Sequence, residues 1–336
     1  MSGGSDSWAG WLALRRVGPG CAMALGLGAL AIAISRFTAL PAPLLALAAG
    51  VLVRPVAVGV DLAPGARLAA GPLLRVGVVL LGLRMDAEVA SAVGWPTVAL
   101  LGSLVAATLA FGLGLGRTLR LDPRFSAVLA ASTAICGAAA ALAVSAVMPA
   151  SPERERQAAV AVAAATVFST VAMIALPGLA VLFGFDARQA GFFLGASIAD
   201  VAQVVGAGYA LSPEVGDVAV ATKLTRVLFL VPVVLMAALA FRGRDSLGPG
   251  SLGRVRAPLF VLAFFGVAIV SILGLAPASL RPPGQALSDL ALAAAVAGLG
   301  LTLPVRAVFD QGPGPLVLSS CGMAFITAVA AAVSLL

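Results

Sequence analysis

Three short stretches of this 336-residue chain carry side chains that can do chemistry in otherwise blank apolar text. "ASTAICGAAA", residues 131–140, holds Ser132, Thr133, Cys136 and Gly137; "GASIADVAQVVGAG", residues 195–208, holds Ser197, Asp200 and Gln203. "VATKLTRVLFLVP", residues 220–232, holds Lys223 and Arg226 one helical turn apart, with Thr222 and Thr225 between and beside them. A guanidinium, an ammonium, hydroxyls and an amide are the groups that hold a small oxyanion. A carboxylate among them balances charge, or carries a coupling proton or cation. The expected substrate-binding residues are therefore Ser132, Thr133, Cys136, Gly137, Ser197, Gln203, Lys223 and Arg226, with Asp200 as the coupling residue.

Composition says what must position them. The chain is 61% hydrophobic and 10% charged, with a mean hydropathy of +1.10, the profile of an all-α polytopic membrane protein. Eleven apolar spans are predicted, at 19–36, 39–53, 72–90, 95–116, 125–148, 157–183, 188–210, 213–241, 257–275, 286–304 and 314–335. Residues 1–18 read as a cytoplasmic N-terminal segment without a cleavable signal, and 19–336 as a single transmembrane domain. With the N-terminus inside, fourteen arginines fall on the cytoplasmic side and five on the other.

Depth follows from helix rise. Ser212, Pro213 and Glu214 begin a helix well, and at 1.5 Å per residue Lys223 lies ~15 Å and Arg226 ~20 Å along it. Asp200 lies roughly 18 Å beyond Arg188, and Ser132 to Cys136 roughly 14 to 20 Å beyond Pro123. All three sets reach mid-membrane, where a charge persists only with a partner or water. Ser197, Asp200 and Gln203 at i, i+3 and i+6 are expected on one helix face, and Gly137 is expected to interrupt a helix and expose backbone groups to a ligand. The bland alternatives are close helix packing by small residues and an interhelical lock by Asp200.

"VVLLGLRMDAEV" at 78–89 echoes "AAVAGLGLTLPV" at 294–305, which points to an inverted repeat with discontinuous helices. Histidine is absent, and Cys21, Cys136 and Cys321 are far apart, so no zinc motif, disulfide framework or histidine-based catalytic triad is available. Glu153, Glu155, Glu214 and Asp217 read as solvated loop charges. No metal, cofactor or enzymatic activity is expected, and the basic loops lack the interleaved aromatics of a nucleic-acid surface. "GLGLG" at 112–116 is compatible with a homodimer.

The ordered motifs "LLRVGVVLLGLRM" (73–85), "STAICGA" (132–138), "GASIADVAQVVGAG" (195–208) and "ATKLTRV" (221–227) resemble the YeiH-type family of bacterial inner-membrane proteins, which carries the label of sulfate exporters. The resemblance implies a secondary transporter related to the cation/proton antiporter and bile-acid symporter group, built from inverted repeats with discontinuous helices. The family pattern reads "SIHDVAQ" where this chain has Ala199, and "CGASA" where it has Ala139. The expected function is export of a small anion such as sulfate, sulfite or a sulfonate from a bacterial cytoplasm across the inner membrane. A proton or sodium ion is the expected coupling partner, and a cation/proton antiporter centred on Asp200 is the alternative. Counting the broken spans 125–148 and 188–210 as crossing makes them parallel, whereas broken helices of an inverted repeat should be antiparallel.

Overall fold

A computed structural model describes residues 5–38, 42–54, 61–85, 94–149, 151–241, 259–302 and 312–335. In chain order the helices are α1 (Ser5–Ser35), α2 (Ala42–Val53), α3 (Ala63–Arg84), α4 (Trp95–Thr118), α5 (Pro123–Ala134), α6 (Ala138–Ala146) and α7 (Pro152–Leu182). They continue with α8 (Ala187–Ser197), α9 (Val201–Leu211), α10 (Pro213–Phe241), α11 (Leu259–Ile272), α12 (Arg281–Thr302) and α13 (Pro313–Ser334). Among the described residues seven helices are long and apolar enough to cross a membrane: the Val17–Ser35 part of α1, then α3, α4, α7, α10, α12 and α13. The protein is an all-α polytopic membrane protein. By backbone contacts it forms two compact units, Met1–Asp86 with Leu262–Leu303, and Ala87–Val261 with Pro304–Leu336.

In the first unit, small residues let helices touch backbone to backbone: Gly28 of α1 and Gly50 of α2 sit against Ala294 and Ala297 of α12. The π turn Ala69–Leu73 carries Pro72, whose missing amide interrupts the α-helical ladder of α3 without ending the helix. Helix α3 runs antiparallel to α12, with Ala66 beside Gly298 and Leu83 beside Gly284. The Ser288 hydroxyl donates to Gly77 O at 2.8 Å, and the Arg84 guanidinium donates to both oxygens of Asp289 at 2.8 Å. The two echoing segments thus lie in antiparallel neighbours, although 86–89 and 303–305 fall outside the described residues.

In the second unit the chain direction can be followed from one face to the other. Helix α13, 22 residues or ~33 Å long, starts with Gly314 beside Leu121, passes Thr133 at Gly322, and ends with the Ser334 hydroxyl donating to Gln189 O at 3.3 Å. The start of α5 and the start of α8 therefore lie at opposite faces. Helix α7 ends four residues before α8 begins, so its other end, and the end of α6 joined to it through 147–151, lie at the face where α5 started. Arg154 donating to Met148 O at 3.2 Å closes that connection.

So α5 and α6 form a re-entrant hairpin that enters from one face, turns at mid-depth and returns. Helices α8 and α9 do the same from the opposite face. Gly191 and Gly195 of α8 meet Val218 and Ala219 of α10 in parallel order, whereas Gly208 of α9 meets Gly216 in antiparallel order. No arm exceeds 12 residues, ~18 Å, about half of a hydrocarbon core. The expected spans 125–148 and 188–210 are thereby corrected to hairpins. Their first arms approach from opposite sides, which removes the parallel-helix conflict. Each hairpin is followed by one long helix, α7 or α10, so the pair is an inverted repeat of hairpin plus crossing helix.

Candidate functional site

At the faces of this unit, the starts of α5, α7, α8 and α10 are capped by side chains, whereas α4 and α13 start after glycines without such a cap. Asp122 accepts from the amides of Arg124 and Phe125, Ser151 from Arg154, Asp186 from Gln189 in a capping box, and Ser212 from Val215. The two starts at mid-depth, α6 after Gly137 and α9 after Asp200, also have no side-chain cap hydrogen bond, and they lack it away from the faces. Unsatisfied amides are tolerated at such depth only where they line a cavity or meet a ligand.

Each turn is built by local chemistry. At the first tip Gly137 adopts φ +55°, ψ −120°, a conformation that strains any residue with a Cβ. Ser132 closes this turn, its carbonyl accepting from Gly137 N at 2.8 Å and its hydroxyl donating to Gly137 O at 3.1 Å. At the second tip, Ile198 and Asp200 are extended. Ala199 N donates to the Ser169 hydroxyl of α7 at 3.0 Å, and the Gln203 amide nitrogen reaches Thr170 at 3.5 Å. Ser169 and Thr170 were not singled out from the sequence. The signal for them was weak: two hydroxyls in a long alanine-rich helix, where Thr166 and Thr170 bond to carbonyls of their own helix.

Lys223 and Arg226, both fully buried, join the two tips. The Lys223 ammonium donates to Ile135 O of the first hairpin at 2.5 Å and to Ile198 O of the second at 2.9 Å. Arg226 Nε donates to Ala134 O at 2.6 Å and one terminal nitrogen to Ala196 O at 2.6 Å, while the other terminal nitrogen donates to Thr133 O. These carbonyls are the open C-terminal ends of α5 and α8, where helix dipoles favour cations. The two cations are charge-assisted clasps across both hairpins. Glycine makes the clasp reachable: a Cβ at Gly195 would lie 2.4 Å from Ala219 O, so α8 and α10 approach this closely only without one.

Asp200 lies against the other hairpin, its carboxylate 3.7 Å from where a Cβ of Gly137 would stand. It is partly exposed, faces the amides of Val201 and Ala202 without closing a cap hydrogen bond on them, and among the described residues forms no ion pair within 4 Å. Asp200 interacts with Lys223 through charge at a distance rather than through an ion pair within 4 Å, since backbone carbonyls occupy both cations. The expected polar stripe is corrected. Ser197 ends α8, Asp200 precedes α9 and Gln203 lies in the first turn of α9, on either side of a break rather than on one face. Ser197 Oγ, Gln203 Oε1 and Thr222 Oγ1 are buried without a hydrogen-bond partner among the described residues. Cys136 is buried at the first tip, and Thr133 is engaged with its own helix through Leu129 O at 3.2 Å.

All nine residues singled out from the sequence therefore meet at the two tips or at the helix that joins them. A family model described as conserved hypothetical protein 698 matches residues 19–319, most of the chain. The chain belongs to this family. Among relatives of this UPF0324 family, membrane protein TauZ of Paracoccus denitrificans is 41% identical over 304 residues, covering 89% of each chain. A UPF0324 membrane protein of Rhizobium meliloti is 38% identical over 316 residues, covering 93% of this chain and 91% of its own. No solved structure matches the chain. The YeiH-type resemblance fits this UPF0324 membership. In this UPF0324 protein the position of the missing histidine, Ala199, is the buried midpoint of the second turn.

Proposed function

We propose that the protein is a secondary transporter of a small anion, of the class of sulfate, sulfite or a sulfonate, working by alternating access at the hairpin tips. One observation carries the reading: two re-entrant hairpins from opposite faces meet at mid-depth, with two buried cations against one carboxylate. That excess of positive charge, together with the uncapped amide end of α6, suits an oxyanion. Lys223 donates to two carbonyls and has three protons, so one remains for substrate. Ser197, Gln203 and Thr222 supply further polar atoms, while Ser132, Thr133, Cys136 and Gly137 shape the first tip. Asp200, partly exposed and in no ion pair within 4 Å among the described residues, is the coupling group.

The arginine-rich face is read as cytoplasmic in a bacterial inner membrane. Of the seven arginines described in this unit, Arg117, Arg120, Arg124, Arg154 and Arg156 lie at the face where α5 begins, Arg188 at the other, and Arg226 between. A cation/proton antiporter centred on Asp200 is the second reading, favoured by the absence, among the described residues, of any ion pair at that carboxylate.

Uptake of radiolabelled sulfate and sulfite into proteoliposomes tests the reading, with and without a pH gradient. The wild type should show flux, and Gln203→Ala should lower it about five- to tenfold, the effect of one lost hydrogen bond in a dry site. No flux of either anion, with cation-dependent proton release that disappears in Asp200→Asn, would replace the anion reading by the second.

A further inference from the structure

Against the first hairpin, lined by neither Lys223 nor Arg226, lies an apolar groove of about 550 Å³ between α4, α5, α6 and the second half of α10. Its walls include Ala110 and Leu113 of α4, Ala127 of α5, Val144 of α6 and Met236 of α10, and Arg117 stands at its end. The groove is half open: Met236 is 56% exposed, and Ala110 is exposed as well. A volume of this size accommodates a drug-sized or acyl-chain ligand.

The charge at the arginine end says which ligand. Arg117 closes α4, and Arg120 and Arg124 follow in the connection to α5 and its first turn; all three side chains are exposed. The one carboxylate in that connection, Asp122, is turned onto the amides of Arg124 and Phe125 at 2.8 and 3.0 Å. Among the described residues no ion pair involves any of the three arginines. An apolar slot ending in three uncompensated guanidinium groups at a membrane face matches one kind of molecule, a lipid with an apolar chain and an anionic phosphate head.

We propose that this groove binds an anionic phospholipid, the acyl chain lying along α5 and α6 and the phosphate held by Arg117 with Arg120 and Arg124. The occupant touches both arms of the first hairpin, so it braces that hairpin. Its presence favours the clasped arrangement of the tips.

Native mass spectrometry of the full chain in detergent, titrated with phosphatidylglycerol or phosphatidylcholine of identical acyl chains, tests this. Phosphatidylglycerol should bind about fivefold or more tightly than phosphatidylcholine, and Arg117→Gln should cut that preference by about fivefold. Ala110→Trp, which fills the slot from an exposed position, should abolish phosphatidylglycerol binding while leaving the thermal transition of lipid-free protein in place. Equal binding of the two lipids, or an Arg117→Gln variant that keeps the full preference, overturns the proposal. A change of oligomeric state in Ala110→Trp also overturns it, by assigning the groove to a second copy of the chain.

Discussion

At the scale of single residues, the site is organised by unmet backbone groups rather than by ion pairs. Arg226 and Lys223 satisfy carbonyls on both hairpins, each bond to a charged donor contributing roughly 1.5–3 kcal/mol. Arg226→Lys is therefore expected to lose contacts to at least one tip, lowering the thermal midpoint and abolishing flux, because a single ammonium cannot copy a planar fork. Gly137→Ala has room for its methyl group, whose nearest neighbour would be 3.6 Å away, but not the right backbone. It should cost on the order of 1–3 kcal/mol, read as a lowered unfolding midpoint in a denaturant or thermal scan. Asp200→Asn should leave the fold intact, since no described ion pair depends on the carboxylate. If Asp200 couples transport to protons, the pH dependence of flux should flatten in that variant while the wild type keeps it; identical profiles would remove Asp200 from coupling. These residues were legible in the sequence because polar side chains at membrane depth are expensive and stand out. Their partners were not, because carbonyl oxygens of Thr133, Ala134, Ala196 and Ile198 have no signature in amino-acid type.

At the scale of elements, hydropathy correctly found apolar segments at 125–148 and 188–210, and length alone read them as crossing. A hairpin of two half-length helices has the same apolar length as one spanning helix, so the window cannot tell them apart. Two signals did bear on it. Polar residues and glycine sit at the centre of each segment, and arginines flank 125–148 at both ends, Arg120 and Arg124 before it and Arg154 and Arg156 after it. A crossing helix would split those arginines between faces; a hairpin keeps them together. Close approach of α8 to α10 through Gly195 is the packing counterpart of this geometry. Gly195→Leu is expected to push α8 away from Ala219 O and Thr222, dismantling the second half of the clasp and lowering the thermal midpoint more than the same substitution at Gly114 of α4, where nothing lies within 4 Å.

At the scale of the whole molecule, the all-α polytopic class followed from composition, and the inverted arrangement was visible only dimly. The echo between 78–89 and 294–305 pointed to two antiparallel helices, but the repeat that positions the site is the other one, hairpin and crossing helix twice over. It was hidden because α5 to α7 and α8 to α10 share geometry rather than residues: Gly137 makes one turn, while Ile198 to Asp200 make the other without glycine. The transport reading depends on this arrangement, since tips reached from opposite faces give one site that either side can open onto. Labelling of single cysteines by a membrane-impermeant maleimide, in a background lacking Cys21, Cys136 and Cys321 and in sealed vesicles of both orientations, tests that arrangement directly. Positions 118 and 155 flank the first hairpin, and 188 and 214 flank the second. The account predicts that Thr118→Cys and Glu155→Cys label from one side, and Arg188→Cys and Glu214→Cys from the other. If the members of either pair label from opposite sides, that hairpin crosses the membrane, and the proposed meeting of tips at Lys223 and Arg226 is wrong.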